Sequence, residues 1–267
     1  MKKIGFIGAG KMAEAIMTGL IDKAFTSAGS ILASDISGDR LVDLSHRLGI
    51  RITLDNVEVV RQVGVFILAV KPQQLDEVLR AIAPQVTPAH LVVSIAAGKT
   101  TARIESLLPA GRVVRVMPNI ACLVGEGMNV FTRGARAPES DSIFVKGLLE
   151  CCGQALELPE PQFDAVTALS GSGPAFFAYL LDRLVDGAVR EGLSRRDALL
   201  LAEQTMLGTA RMLQSRDMDP SELATAVTST KGTTAAGREV LETPAVVAVL
   251  DRTIAAATQR SRDLGRA

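Results

Sequence analysis

Short apolar runs alternate with amphipathic stretches from the start of the chain to about residue 158, and the spacing then changes character. The runs at 3–7, 31–34, 65–70, 91–95 and 113–117 are rich in Ile, Val and Leu, and their length suits strands buried on both faces. Between them, segments 11–23, 39–48, 56–62, 73–82 and 102–108 carry helical spacing. Strand, helix, strand in repetition predicts an α/β fold with a doubly wound, mostly parallel sheet, because a parallel pair needs a crossover long enough to hold a helix. Two further strands, 128–132 and 155–158, are expected to flank a helix at 140–152.

After Pro159-Glu160-Pro161 no strand pattern appears. Segments 176–190, 195–214, 221–227, 235–241 and 246–264 all read as helices, and Val246, Val249, Leu250, Thr253 and Ile254 form one apolar stripe in the last. Asp219-Pro220 with Glu222 reads as a helix start and Gly192 as a helix end. The division expected is therefore an α/β domain over 1–160 followed by an all-α domain over 161–267. So many Ala and Leu in about 100 helical residues leave apolar surface that the segment cannot cover alone, which points to an oligomer.

Composition narrows the class. Hydrophobic residues make up 48% and charged residues 22% of 267, enough for a substantial core. Lys plus Arg (29) balances Asp plus Glu (29), so nucleic acid is not an expected partner. The longest apolar runs are too short for a membrane span, and the glycines after residue 7 interrupt what could begin as a secretory signal. Three cysteines, Cys122, Cys151 and Cys152, suit neither a disulfide framework nor a zinc site, and a reducing, cytoplasmic compartment is expected. Two histidines, His46 and His90, assemble neither a metal centre nor a Ser/His/Asp triad.

The first chemical signal is the G-x-G-x-x-A turn at Gly8, Gly10 and Ala13, which follows a strand pattern and opens a helix. Gly8 permits the tight turn, Gly10 lets backbone approach a pyrophosphate, and Ala13 keeps the helix close to the sheet. Free N–H groups at the helix start then face the phosphates. This context makes the first domain a dinucleotide-binding Rossmann domain. Asp35, 22 residues past Ala13, suits the ribose hydroxyl of NAD, whereas Ser34, Ser37 and Arg40 suit the 2′-phosphate of NADP; Asp35 capping the next helix is a third reading. Lys71, before Pro72 at a strand's carboxyl end, is either a cofactor contact or a solvated loop lysine, and Ala96-Ala97-Gly98 leaves room at the same edge.

Over essentially its whole length the sequence resembles pyrroline-5-carboxylate reductases. The matching pieces are FIGAGKM at 6–12, AVKP at 69–72, SIAAG at 94–98, RVMPN at 115–119, VGEG at 124–127, the highly specific DAVTALSGSGPA at 164–175, and Val227-Thr228-Ser229 with Gly232-Thr233-Thr234. The resemblance implies hydride transfer from NADP(H) or NAD(H) to the C=N carbon of 1-pyrroline-5-carboxylate, giving proline, in a homodimer or a dimer-based higher oligomer, with the helical domain serving dimerisation and the cyclic imino acid. It places the cofactor on Gly8, Ala9, Gly10, Lys11, Met12, Ala13, Ser34, Asn56, Ala69, Val70, Lys71 and Ala97, and the substrate on Glu160, Ser229, Gly232, Thr233 and Thr234. A protonated cyclic imine is already electrophilic, so little acid–base machinery is required; the Thr234 hydroxyl is assigned to the ring nitrogen as the catalytic group. The backbone of 229–234 is assigned to the carboxylate, and Glu160 either orients the ring N–H or caps a helix.

Two departures bear on the substrate. Relatives carry a second glycine where this chain has Lys231, and Thr-Pro where it has Ile120-Ala121. If that glycine needs positive φ, lysine is strained there. A reductase of a related imino acid remains an alternative, as does a β-hydroxyacid dehydrogenase. The latter needs a helical lysine as base, and the one lysine after residue 160 is Lys231, in a loop-like context. A non-enzymatic NADP-binding protein is the third.

Overall fold

A computed structural model describes residues 2–266. By packing, the chain divides into two units: one runs to Ser172 and takes in the stretch from Ala257 onward, the other is Gly173–Ala256. The composition change at residue 160 thus precedes the packing boundary, and the chain's last residues belong with the first unit.

The first unit is built on one eight-stranded sheet in the order β3-β2-β1-β4-β5-β6-β7-β8. Its strands are β1 (Ile4–Ile7), β2 (Ile31–Ser34), β3 (Arg51–Thr53), β4 (Val65–Leu68), β5 (Leu91–Ser94), β6 (Arg112–Met117), β7 (Gly127–Arg133) and β8 (Gly153–Glu157). All neighbours are parallel except β6 and β7. The parallel pairs are joined through helices α1 (Lys11–Asp22), α2 (Gly38–Leu48), α3 (Asn56–Gln62), α4 (Pro72–Ile82), α5 (Thr101–Leu107) and α6 (Glu139–Leu149). Between β6 and β7 there is no room for such a crossover. The link is a 3₁₀ turn at Ile120–Val124 closed by Gly125 at φ 75°, so the strand can only turn back antiparallel.

Side chains alternate across the sheet into two cores. Ile4, Phe6, Val114, Val116 and Phe131 pack with Ile16, Met17 and Leu20 of α1 on one face. Ile7, Phe66, Leu68 and Val113 pack with Leu75, Leu79 and Ile104 on the other. Each fully buried side chain of this size contributes about 1.5–3 kcal/mol, which makes this unit the stable platform. The sequence carries no apolar run at the short strand β3, because Arg51, Ile52 and Thr53 form an edge strand with no buried residue.

Past β8, Glu160–Gln162 forms a 3₁₀ turn, α7 spans Phe163–Val166, and Thr167–Gly171 continues as one π-helical turn. The second unit is helical: α8 (Gly173–Arg190), α9 (Arg195–Arg216), α10 (Pro220–Ala226), α11 (Thr233–Leu241) and most of α12 (Pro244–Arg266). The Asp219 start carries a full capping box with Glu222. Large apolar side chains of α8 and α9 remain exposed, among them Phe177, Leu184, Leu200 and Leu201.

Candidate active site

The glycine turn is set by backbone geometry. Gly8 sits at φ 97°, and a Cβ there would lie 2.7 Å from the carbonyl carbon and oxygen of Ala69. Both the conformation and the space therefore exclude a side chain. Gly10 is different: its backbone is extended and a Cβ would meet no protein atom within 4 Å. It borders open space, where backbone can meet a ligand. Gly10 caps α1 without any side-chain hydrogen bond, so the first amides of a twelve-residue helix have no intrahelical partner. Ala13 is fully buried against the sheet.

A cavity of about 420 Å³ opens here, bordered by Gly8, Gly10, Asn56, Ala69, Val70 and Lys71. Asn56 begins α3, and its Oδ1 accepts from the buried Ser34 hydroxyl at 2.7 Å, which directs Nδ2 away from β2. Ser34 contributes through this bond. Lys71 precedes Pro72 in extended backbone at the start of α4, placing it at the cavity mouth. Ala97 is exposed just before Gly98, whose φ is 73°.

Asp35 also borders this cavity, yet its carboxylate is engaged. Oδ2 accepts the Ala9 N–H at 2.7 Å and Oδ1 the Ser37 N–H at 3.0 Å. Ser37 itself caps α2 through the Arg40 N–H. Arg40 donates from Nε to the Ala9 carbonyl at 3.0 Å and pairs with Glu14, which Arg47 also holds at 2.6 Å. Burial pushes the Glu14 carboxyl up, but the two guanidinium groups outweigh it and hold it below the usual range. The glycine turn is thus clamped from both its N–H and its C=O side.

The threonine-rich segment forms a tight turn. The Gly232 N–H donates to the Ser229 carbonyl at 3.0 Å, and Lys231 adopts φ 58°, a conformation normally reserved for glycine. A Cβ on Gly232 would lie 2.2 Å from Ser229 Oγ. The helix expected from residue 235 begins earlier, at Thr233, so Thr233 and Thr234 lie inside the first turn of α11. Gly232 offers no side-chain cap, and the first amides of α11 are left open beside the Thr234 hydroxyl.

Glu160 lies in the first unit. Its Oε1 accepts from the Thr101 N–H at 2.8 Å and Arg115 Nη1 at 2.9 Å, and its Oε2 from the Thr101 hydroxyl at 2.6 Å. Burial raises its pKa, and these donors more than reverse the effect, leaving the carboxyl more acidic than usual. An orienting bond to an imine N–H would have to compete with all three. Asn119 links three segments: its Oδ1 accepts from the Met128 N–H and its Nδ2 donates to the Ser170 carbonyl, both at 3.1 Å. It pins the π-helical turn Thr167–Gly171 to the β6 end.

Residues 160–264 match the family model described as pyrroline-5-carboxylate reductase dimerisation, and residues 3–98 match that described as NADP oxidoreductase coenzyme F420-dependent. The pyrroline-5-carboxylate reductase of Methanosarcina acetivorans is 44% identical over 266 residues, covering 99% of this chain and 98% of its own. The chain belongs to the pyrroline-5-carboxylate reductase family. As a member it is an oxidoreductase. Pyrroline-5-carboxylate reductase 3 of Rattus norvegicus is 42% identical over 99% of this chain and 97% of its own. The solved pyrroline-5-carboxylate reductase of Coxiella burnetii superposes with a TM-score of 0.94 at 32% identity, covering 98% of both chains. The Plasmodium falciparum pyrroline carboxylate reductase, solved with NADP bound, gives 0.86 at 28% identity over 99% of this chain and 98% of its own.

Within this family framework, the clamp of Asp35 and Arg40 on Ala9 and the Arg115–Glu160–Thr101 cluster carried no local signal. Their partners stand 26 to 59 residues apart in sequence, and no periodicity records such pairs.

Proposed function

We propose that this chain is a pyrroline-5-carboxylate reductase that converts 1-pyrroline-5-carboxylate to L-proline with NADP(H), in proline biosynthesis. Full-length similarity to reductases of that name supports the substrate. The observation that carries the cofactor reading is the pair Gly8 and Gly10, one packed against Ala69 and the other bordering open space at a helix start. That cradle fits a pyrophosphate.

Gly10, Lys11 and Met12 offer open backbone N–H groups to the phosphates, while Gly8, Ala9 and Ala13 shape the turn that presents them, their own amides or side chains being taken up inside the fold. Asn56, positioned by Ser34, holds the remainder with Ala69, Val70, Lys71 and Ala97. When bound, the cofactor supplies the hydride. Each Asp35 oxygen already accepts one backbone N–H, from Ala9 and from Ser37, so Asp35 acts as a strut for the glycine turn. The NADP oxidoreductase model matched over residues 3–98 and a relative solved with NADP bound support NADP(H). On the substrate side, Ser229 and Thr233 offer backbone N–H groups to the carboxylate, Gly232 closes the turn through its own N–H to Ser229 and leaves room for it, and Lys231 adds a cation to that turn. The Thr234 hydroxyl accepts a hydrogen bond from the protonated ring N–H and keeps the proton on nitrogen while the neighbouring carbon is reduced.

The exposed apolar faces of α8 and α9 support a homodimer formed through the helical unit, in line with the family model matched there. The three cysteines are free and buried, which supports a reducing, cytoplasmic location; among the described residues no helix is long and apolar enough to cross a membrane.

The test is oxidation of NADPH, followed by its absorbance, with 1-pyrroline-5-carboxylate as acceptor, repeated with NADH and, in reverse, with 3-hydroxy acids and NAD. Turnover of the imine with NADPH preferred is expected. Turnover confined to hydroxy acids, or cofactor binding without imine turnover, overturns the assignment.

A further inference from the structure

A second cavity, of about 480 Å³, lies within the first unit and shares no lining residue with the one at the glycine turn. Its walls include Thr100, Arg115, Phe163, Asp164 and Arg262. The volume is in the range that holds small ligands.

Arg115 is 6% exposed, its guanidinium carbon 4.6 Å from the centre of the Phe163 ring. Among the described residues its side chain makes one hydrogen bond, from Nη1 to Glu160. Nε and Nη2 have no protein partner, yet they are not sealed in, since the one sealed and unpartnered side-chain N or O atom among those residues is Asp76 Oδ1. They therefore reach open space, and the cavity is what Arg115 lines. Across from this pair, Arg262 Nε stands 3.9 Å from Asp164 Oδ2, too far for a hydrogen bond. Asp164 Oδ1 accepts from the Ser261 hydroxyl at 2.7 Å, leaving Oδ2 open.

The charge pattern selects a ligand class. Glu160, which also borders the cavity, is neutralised by Arg115 and already accepts two hydrogen bonds from Thr101. What stays open is a set of guanidinium donors on Arg115 and Arg262 and one carboxylate oxygen on Asp164. A simple anion would meet the Asp164 charge, and a simple cation would meet two guanidinium groups. A molecule carrying both charges a few ångströms apart satisfies each. We propose that this cavity binds a small zwitterionic α-amino acid, its carboxylate on Arg115 and Arg262 and its ammonium on Asp164. The ligand borders Gly98, the residue after Ala97, so it sits next to the cofactor edge without occupying it.

Thermal unfolding of the full chain, titrated with L-alanine, acetate or methylamine at matched ionic strength, tests this. A saturable rise in Tm is expected with L-alanine and not with the two single-charge probes. Arg262→Ala should weaken the apparent L-alanine affinity about tenfold while leaving imine turnover unchanged, because a charge-assisted bond is lost from an exposed side chain. Asp164→Asn should remove the discrimination between L-alanine and acetate. Thr234→Ala should leave the L-alanine response intact, which separates this cavity from the substrate turn. An unsaturable or absent response, an equal response to acetate, or an Arg262→Ala response like the parent's overturns the proposal.

Discussion

The carboxylate of Asp35 accepts the backbone N–H of Ala9 at 2.7 Å, joining the residue after β2 to the middle of the glycine turn. An acidic residue at this position is the usual sign of a ribose contact, but here it shapes the loop. Asp35→Ala should therefore weaken NADPH and NADH alike, by roughly tenfold, as bonds to a charged acceptor worth about 1.5–3 kcal/mol are lost. Fluorescence titration of both cofactors checks this; a loss confined to NADH would restore the ribose reading.

The two glycines of the turn should respond differently. Gly8→Ala forces a side chain into φ 97° and to 2.7 Å from the Ala69 backbone, so both stability and cofactor binding should fall, stability by about 1–3 kcal/mol. Gly10→Ala meets no protein atom and should unfold within about 0.5 kcal/mol of the parent while still losing cofactor affinity. Denaturant unfolding beside cofactor titration separates the cases.

Thr234→Ala should lower kcat with imine while cofactor affinity stays constant, by roughly 10²-fold if the hydroxyl steadies the ring N–H. Thr234→Ser should recover most of it. A parallel loss of cofactor affinity would contradict the assignment.

Lys231 holds φ 58° without glycine's freedom. Lys231→Gly should raise stability, by about 0.5–1 kcal/mol, since a left-handed lysine costs about 1–2 kcal/mol and the added unfolded-state entropy of glycine takes back part of the gain. The same variant should raise KM for the imine if the ammonium assists the carboxylate. Unchanged KM would limit Lys231 to a conformational role.

Glu160 has a folded-state pKa below its ordinary 4.5. A depressed carboxyl contributes stability that is present above the unfolded pKa and lost as pH falls through the folded one. Compared with Glu160→Gln, the parent should be more stable at neutral pH, and the difference should shrink on acidification below about pH 4.5. A pH-independent difference in Tm would show that the ionised cluster is not its source.

Much of the fold could be read in advance because buried parallel strands announce themselves: 31–34 and 65–68 are unbroken apolar or small runs, and the strands follow them. The glycine turn was legible for a similar reason, since Gly8 and Gly10 answer a backbone requirement that few residues meet. Asp35 shows where such reading stops. Its type and spacing allowed two roles, ribose partner and helix cap, and only the positions of the Ala9 and Ser37 amides reveal the brace it makes across the glycine turn. Likewise Thr233 and Thr234 were expected ahead of α11 and lie within it, because a helix can begin on threonine once Gly232 supplies the extended cap. Glu160 marks a third limit: a lone carboxylate in a Pro-rich link gives no hint that Arg115, from the middle of β6, reaches it.

The residues from Ala257 on pack with the unit that began at the amino terminus, while Gly173–Ala256 forms a body of its own between them. During synthesis the sheet can emerge early, but its unit stays unfinished until the final turns of α12 leave the ribosome. A stop codon or a bulky fusion near residue 257 should therefore injure the dinucleotide-binding half of the molecule more than the helices that precede it in the chain.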